Sequence, residues 1–247
     1  MGPMTNKTVV VTGGTRGIGL AIVEAFLEAG ARVVVGARTE TEALTRTGAS
    51  FHATDVRDRD QVHALARAAG AIDVWVNNAG ISVWRTLDHV DAAFFRSLVD
   101  TNLLGTLWGC QAAAQHLRTG GAIVNVASLA GRRGSPNNSV YCASKFGVVA
   151  LTQSLALELG PRRIRVNAVC PVYVRTETLV ENLGGDHPDR PGDDPDGFLD
   201  RFAATRTALG RLPLAAEVAR ACVFLGTDGA SAITGQSLHV DCGAMPF

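Results

Sequence analysis

The chain has 247 residues, equal numbers of basic and acidic side chains (23 each) and a pI near 7.0. That length buries a substantial core, as one large α/β unit or two small ones. Balanced charge argues against a nucleic-acid groove or a membrane-surface patch, and the sequence offers no apolar run close to the roughly 20 residues of a membrane span.

Cys110, Cys142, Cys170, Cys222 and Cys242 are scattered singly, without Cys-x-x-Cys spacing. They read as reduced thiols of a cytoplasmic protein. None of the six histidines forms a His-x-x-x-His pair or joins a carboxylate cluster at ligand spacing, so no metal site is expected. The first seven residues lack the apolar centre of a secretory signal, and Met4 offers a second candidate start.

Residues 8–12 (TVVVT) form a β-branched run that predicts a strand. The glycine-rich segment 13–19 (GGTRGIG) follows, then apolar residues at helical spacing over 20–29, closed by Gly30. Strand, glycine turn and helix form the context of a phosphate-binding turn. Glycines permit close approach of the backbone, and a helix N-terminus supplies free N–H groups. A second strand over 32–36 ends in Ala37 and Arg38. A carboxylate here would grip the ribose 2′-hydroxyl of NAD, whereas an arginine accommodates the 2′-phosphate of NADP. Ala37 supplies no carboxylate, Arg38 supplies a fixed positive charge and Arg16 a second. NADP(H) is therefore favoured, with NAD(H) the alternative. Glu40 and Glu42 belong to the next helix or its cap, where acids are expected.

A third strand over 50–54 stops at Asp55 and Val56, a position suited to an adenine contact. A short helix over 61–69 leads to a fourth strand over 72–76 and a turn of small polar residues, 77–80 (NNAG). Residues 91–99 and 101–117 read as a helix broken or bent near Asn102. The fifth strand, 122–127, places Ser128 at its carboxyl end, where open α/β sheets bind ligands. The helix over 139–159 carries Tyr141 and Lys145 one turn apart on one face. A free phenol titrates near pH ~10, and a neighbouring ammonium is expected to lower that value and suit Tyr141 to acid/base work. A sixth strand over 165–170 is stopped by Pro171.

Between 172 and 213 the pattern changes. Residues 184–197 are rich in turn formers and acids. An irregular stretch of this kind is usually functional or mobile, and it reads as a substrate lid over about 173–210, flanked by helices at 176–183 and 197–207. A helix over 215–225 and a seventh strand over 237–241 complete the chain. Alternating strands and helices predict one α/β domain spanning 1–247, a doubly wound parallel sheet with helices on both faces.

Together these motifs resemble those of the short-chain dehydrogenase/reductase family over residues 7–243. The segment 12–19 (TGGTRGIG) is similar to the family's cofactor turn and 77–80 to its second signature. Asn102, Ser128, Tyr141 and Lys145 fall in the order of its catalytic tetrad. Residues 165–167 (RVN), Pro171 and Thr176 resemble its nicotinamide segment, and 234–236 with 240–241 its C-terminal signature. The resemblance implies a Rossmann-type fold of about seven strands, and hydride transfer between a nicotinamide and a secondary alcohol or ketone. Tyr141 would be the acid/base. Lys145 would lower its pKa and hold the nicotinamide ribose, Ser128 would hold the substrate oxygen, and Asn102 would position a water for proton relay. Cofactor contacts would come from Gly13, Thr15, Arg16, Gly17, Ile18, Gly19, Arg38, Asp55, Val56, Asn78, Ala79, Gly80, Tyr141, Lys145, Pro171, Val174 and Thr176.

The resemblance suggests a polyol, sugar alcohol or small hydroxyketone as substrate. Arg132 and Arg133 just beyond Ser128, and Arg175 just beyond Pro171, flank the site and suit a carboxylate, phosphate or acyl-carrier substrate; the alternative is therefore a ketone on an acyl carrier, as in 3-oxoacyl reductases. A non-catalytic cofactor-binding regulator is a third reading, although such proteins typically lose the tyrosine or lysine, and this chain has both. Two departures stand out: Val172 and Cys242 occupy positions where the family usually has glycine. The family also implies a homodimer or homotetramer formed through the helices near 101–117 and 139–159, with no nucleic-acid or membrane partner.

Overall fold

The apolar runs become the strands of one parallel sheet: β1 (Thr8–Thr12), β2 (Arg32–Ala37), β3 (Ser50–Ala53), β4 (Ile72–Asn77), β5 (Leu117–Val126), β6 (Arg165–Pro171) and β7 (Ser237–Val240). Their order is β3-β2-β1-β4-β5-β6-β7. This computed structural model describes residues 2–183 and 194–246. The chain winds outward from β1 to β3, returns to β4 and winds outward on the other side, so the doubly wound arrangement is as expected.

Both faces of the sheet are covered, which is why the strands read as continuous apolar runs rather than alternating ones. Side chains of β1 nonetheless alternate. Val9 and Val11 pack with Ile22 and Phe26 of α1 (Gly17–Glu28) and with Val218, Cys222 and Leu225 of α9 (Ala215–Gly226). Val10 faces the opposite layer with Val62 and Leu65 of α3 (Arg59–Ala69) and Ala112 and Ala113 of α5 (Gly105–His116). Each fully buried Val, Leu, Ile or Phe contributes about 1.5–3 kcal/mol of hydrophobic stabilisation.

The break anticipated near Asn102 is a widened, π-type turn at Asp100–Leu104, between α4 (Ala92–Val99) and α5. Asn102 explains it. Its carboxamide reaches sideways to accept from the Ile81 N–H (2.8 Å) and donate to the Ile81 C=O (2.9 Å). The helix expected to run to 117 ends at His116, and β5 begins directly at Leu117. A short α2 (Glu42–Thr45), capped by the Thr41 hydroxyl, contains Glu42.

A buried polar chain ties the sheet to α6 (Ser139–Leu159). The Trp75 indole N–H donates to Asn77 Oδ1 (2.7 Å), Asn77 Nδ2 to Asn125 Oδ1 (2.9 Å), and Asn125 Nδ2 to Thr152 Oγ1 on α6 (3.0 Å). Satisfied networks in a low-dielectric core fix relative position, and this one sets α6 against β4 and β5. One sequence expectation needs correction: the helical stretch Ser139–Arg162 is by length and composition apolar enough to cross a membrane. Its inner face packs on the sheet, carrying Ser144, Lys145 and Thr152 into the protein, as a core helix of an α/β domain does.

The region read as a lid contains α7 (Glu177–Leu183) and α8 (Pro195–Arg206). α8 starts two residues earlier than expected, because Asp194 caps it by accepting from the Gly197 N–H (2.7 Å) with Pro195 in the first turn. Most of the turn-forming run, residues 184–193, lies outside the described residues.

Candidate active site

The connections from β1 and β4 diverge to opposite sides of the sheet, leaving a crevice at the carboxyl ends of the two strands, where such sheets bind ligands. The glycine turn fills it. Gly13 has φ +68°, and a Cβ there would lie 2.7 Å from Ala79 Cα; Gly17, at φ +55°, opens α1. Asn78 Nδ2 donates to the carbonyls of Thr12 (3.1 Å) and Gly13 (2.9 Å). The N–H groups of Asn78 and Ala79 return bonds to the Thr12 hydroxyl (3.1 and 3.2 Å). Arg16, at the N-cap of α1, makes no side-chain capping bond, so the first-turn N–H groups are available to an anion. A bare-backbone cradle at a helix N-terminus fits the pyrophosphate of a dinucleotide.

At the far end of the crevice Arg38 is exposed just beyond β2. Asp55 is clasped by Arg57, whose Nε lies 3.0 and 3.1 Å from the two carboxylate oxygens. The Arg57 hydrogen bond, with a smaller contribution from the Arg38 charge, holds the Asp55 carboxyl below its ordinary value. Arg57 was not anticipated; its spacing of two from Asp55 was the available signal.

The proton-handling groups lie where β5 ends. Ser128 Oγ accepts from the Ala130 N–H (3.1 Å), which turns the chain sharply after the strand. Lys145 is 5% exposed and donates to the Val126 carbonyl (2.9 Å); burial lowers its pKa to about 8. Burial also raises the Tyr141 phenol above its ordinary value, partly offset by hydrogen bonds with Ser128 and Ser82. The expectation that Lys145 depresses the phenol is therefore corrected. Its ammonium is 5.9 Å from the Tyr141 ring centre and spent on Val126, and the lowering influences are the two serines. Ser82 was missed in the sequence. Asn102 is fully buried behind this group, with its amide committed to Ile81 and to Ser144 Oγ (3.2 Å). Gly80 separates it from Lys145: a Cβ on Gly80 would sit 3.2 Å from Asn102 Oδ1 and 3.6 Å from Lys145 Nζ.

One cleft of about 1110 Å³ brings these together. It is lined by every residue expected to contact cofactor and by Ser128, Tyr141 and Lys145; Asn102 is not in its wall. Beyond Tyr141 the wall is aromatic. Tyr173 stacks on Trp84 (centroids 6.4 Å, interplanar angle 22°) and meets Phe198 and Phe202 edge-on at 5.8 and 4.8 Å. These four residues come from three separate segments, so local pattern did not reveal them. Of the three flanking arginines, only Arg133 enters this cleft. Arg132 lines a separate pocket beside β7, and Arg175 is ion-paired with Asp196 and Asp200 of α8. The two departures also have visible consequences. Val172 lines the cleft and packs near Ala127 and Leu129, and Cys242 takes a glycine-like φ of +53°.

Hydride exchange between nicotinamide and a C–OH group requires a dinucleotide cradle opening onto a proton donor, and this cleft joins the two. The class is that of NAD(P)-dependent oxidoreductases acting on alcohols and ketones. The chain belongs to the short-chain dehydrogenase/reductase family. The family model described as enoyl-(acyl carrier protein) reductase matches residues 13–245. The chain is 39% identical to the cis-4-hydroxycyclohexanecarboxylate dehydrogenase of Sinomonas cyclohexanicum, covering 96% of each chain. It is 35% identical to the 3-oxoacyl-(acyl-carrier-protein) reductase FabG of Chlamydia trachomatis, covering 98% of both. The solved structure of the aldohexose dehydrogenase of Thermoplasma acidophilum superposes with a TM-score of 0.86 at 31% identity, covering 98% of this chain and 94% of that one.

Proposed function

We propose that the protein interconverts a secondary alcohol and its ketone, with NADP(H) as the preferred nucleotide and Tyr141 as the acid/base. The supporting observation is the convergence of Ser128, Tyr141 and Lys145 at the end of β5, in one cleft with the glycine turn. When bound, the nicotinamide gives or accepts the hydride. Residues 13–19 would hold its pyrophosphate, Asp55 and Val56 the adenine, and Asn78, Ala79, Gly80, Pro171, Val174 and Thr176 the remainder. A phenol kept protonated at neutral pH donates its proton to a carbonyl oxygen held by Ser128 and Ser82. Lys145, titrating near pH 8, keeps a positive charge beside the departing proton and binds the nicotinamide ribose. Asn102 contributes by fixing the Ile81–Ser82 segment, alongside the water relay implied by the family.

NADP(H) is supported by the absence of a carboxylate at Ala37 and by three arginines, Arg16, Arg38 and Arg57, around the adenosine end. Asp55, the acid nearest that end, is already neutralised by Arg57. The aromatic wall favours a substrate with an apolar carbon skeleton over a polyol, whose hydroxyls would find few partners there. The names of two relatives, a hydroxycyclohexanecarboxylate dehydrogenase and an oxoacyl reductase, are in keeping with such a skeleton, and the acyl-carrier substrate stands as the second reading. A cytoplasmic location, supported by five free thiols, and a homodimer or homotetramer belong to the same proposal. Phe146 and Leu157, 44% and 83% exposed on the outer face of α6, suit burial against a second copy. The lid role of residues 173–210 completes it, with Tyr173, Phe198 and Phe202 facing the cleft.

The test is an absorbance assay at 340 nm with both nucleotides over ketones and alcohols. Tyr141→Phe is expected to lower kcat at least a thousandfold while nucleotide affinity holds within threefold. Arg38→Ala is expected to remove most of the preference for NADPH over NADH. Turnover by Tyr141→Phe within tenfold of the parent would overturn the tyrosine's role, and an unchanged nucleotide ratio in Arg38→Ala would overturn the arginine's.

A further inference from the structure

The substrate half of the cleft has two unlike walls. Trp84, Tyr173, Phe198 and Phe202 form a continuous aromatic side. The segment between Ser128 and Tyr141 contributes Arg133, whose charge acts on the Tyr173 phenol, and Asn138 to the same cleft. Arg133 is half-buried, and no carboxylate among the described residues pairs with it. Arg175, in contrast, is paired with Asp196 and Asp200. Asn138 is 5% exposed, and its Oδ1 has no hydrogen-bond partner among the described residues. A partly desolvated guanidinium without a counter-charge is costly in isolation; a planar carboxylate is the ligand its fork of N–H donors fits best.

We infer that the substrate is a carboxylate-bearing ring alcohol or ketone, its apolar ring lying along the Tyr173 wall and its carboxylate bound by Arg133. Flat aromatic faces beside the half-buried Arg133 guanidinium orient such a molecule with its ring on the aromatics and its carboxylate on that arginine; Arg206 of α8, which also lines the cleft, is exposed to solvent. With the carboxylate on Arg133, the ring's oxygen-bearing carbon is directed toward Ser128 and Tyr141. Asn138 lines the same cleft, with its Nδ2 already donating to Ser135 Oγ (3.3 Å). Arg133 is thus a specificity-determining residue that touches substrate but not the reacting carbon. This inference rests on the cleft being the oxidoreductase site proposed above.

Binding separates the two. Calorimetric titration of NADP-loaded protein with cyclohexanecarboxylate and with cyclohexanecarboxamide requires no turnover. The carboxylate is expected to bind at least tenfold more tightly, an advantage lost in Arg133→Gln and kept in Arg132→Gln, whose arginine lies outside the cleft. Equal affinities in the parent protein overturn the inference, as does equal loss in Arg132→Gln, which would signify general charge attraction rather than contact. In the kinetic arm, 4-oxocyclohexanecarboxylate is expected to exceed its methyl ester at least tenfold in kcat/KM, mainly through KM, with the ratio near one in Arg133→Gln. Faster reduction of a 3-oxoacyl thioester than of the ring acid overturns the ring assignment. Tight carboxylate binding without turnover of any ketone upholds the anion site and defeats the catalytic reading instead.

Discussion

The two halves of the cleft are built from different materials. The nucleotide half presents backbone: the turn after β1 and the turn after β4 are stapled by four hydrogen bonds, two from the Asn78 carboxamide to the Thr12 and Gly13 carbonyls and two from the Asn78 and Ala79 N–H groups to the Thr12 hydroxyl. The substrate half is side chain: Trp84, Tyr173, Phe198 and Phe202 converge from loops and from α8. A backbone site tolerates little change in shape but serves any chemistry that uses the same cofactor. A side-chain site can be rebuilt residue by residue, which is how one fold carries many substrates.

The sharpest way to break this contrast is at Gly19. A Cβ there would collide with the Gly13 carbonyl and come within 2.5 Å of Asn78 Nδ2. Gly19→Val is therefore expected to weaken nucleotide binding on the order of a thousandfold, since backbone cannot move aside as a flexible side chain can. Fluorescence titration with NADPH measures it, with far-UV circular dichroism checking the fold. Affinity within tenfold of the parent would show that the turn is softer than its hydrogen bonds imply.

The same contrast explains what could be read from the sequence. The strands were legible because both sheet faces are buried, leaving unbroken runs such as those of β1 and β2. The glycine turn, the NNAG turn and the Tyr141–Lys145 pair were legible because their chemistry is set by local spacing. Tyr173 and Trp84, 89 positions apart in the chain, meet only through the fold, and no local period signals such a contact. Ser82 follows the NNAG turn by two residues, and only the bend held by Asn102 brings it to Tyr141. The direction of the Tyr141 shift was misread for a related reason: spacing placed an ammonium near the phenol but gave no information about desolvation.

Lys145 lies on the seam between the halves, and its burial makes function costly to the fold. An exposed lysine titrates near 10.5, whereas burial brings Lys145 to about 8. Between these values the unfolded chain binds more protons than the folded one, so stability rises with pH across that window. Below pH 8 the whole penalty is present, and a shift of this size corresponds to about 3 kcal/mol. Removing the ammonium also loses its hydrogen bond to the Val126 carbonyl, worth roughly 1 kcal/mol. Lys145→Met is thus expected to be inactive yet more stable by about 2 kcal/mol at pH 7, with the advantage shrinking toward pH 10. Urea unfolding at the two pH values tests this, and a variant no more stable than the parent at pH 7 would contradict it.

The smallest effect concerns how the aromatic wall is held. Tyr173 and Arg175 leave β6 together, Tyr173 packing on Phe198 and Phe202 and Arg175 pairing with Asp196 and Asp200 of the same helix, α8. The two aspartates are four residues apart, so they lie on one face of α8 and meet one guanidinium. All three charged groups are substantially exposed, and exposed pairs are worth roughly 0–1 kcal/mol each. Arg175→Ala is accordingly expected to raise the substrate KM about fivefold, the equivalent of about 1 kcal/mol, while NADPH affinity is unaffected, because no hydrogen bond or ion pair among the described residues links α8 to the glycine turn or the Asp55 segment. High salt should screen the pair in the parent, so at about 0.5 M salt the KM values of parent and variant should converge. If NADPH affinity falls in step with KM, the two halves are mechanically coupled through the β6 segment. If KM is unchanged at low salt, the aromatic contacts of Tyr173 alone hold α8 in place.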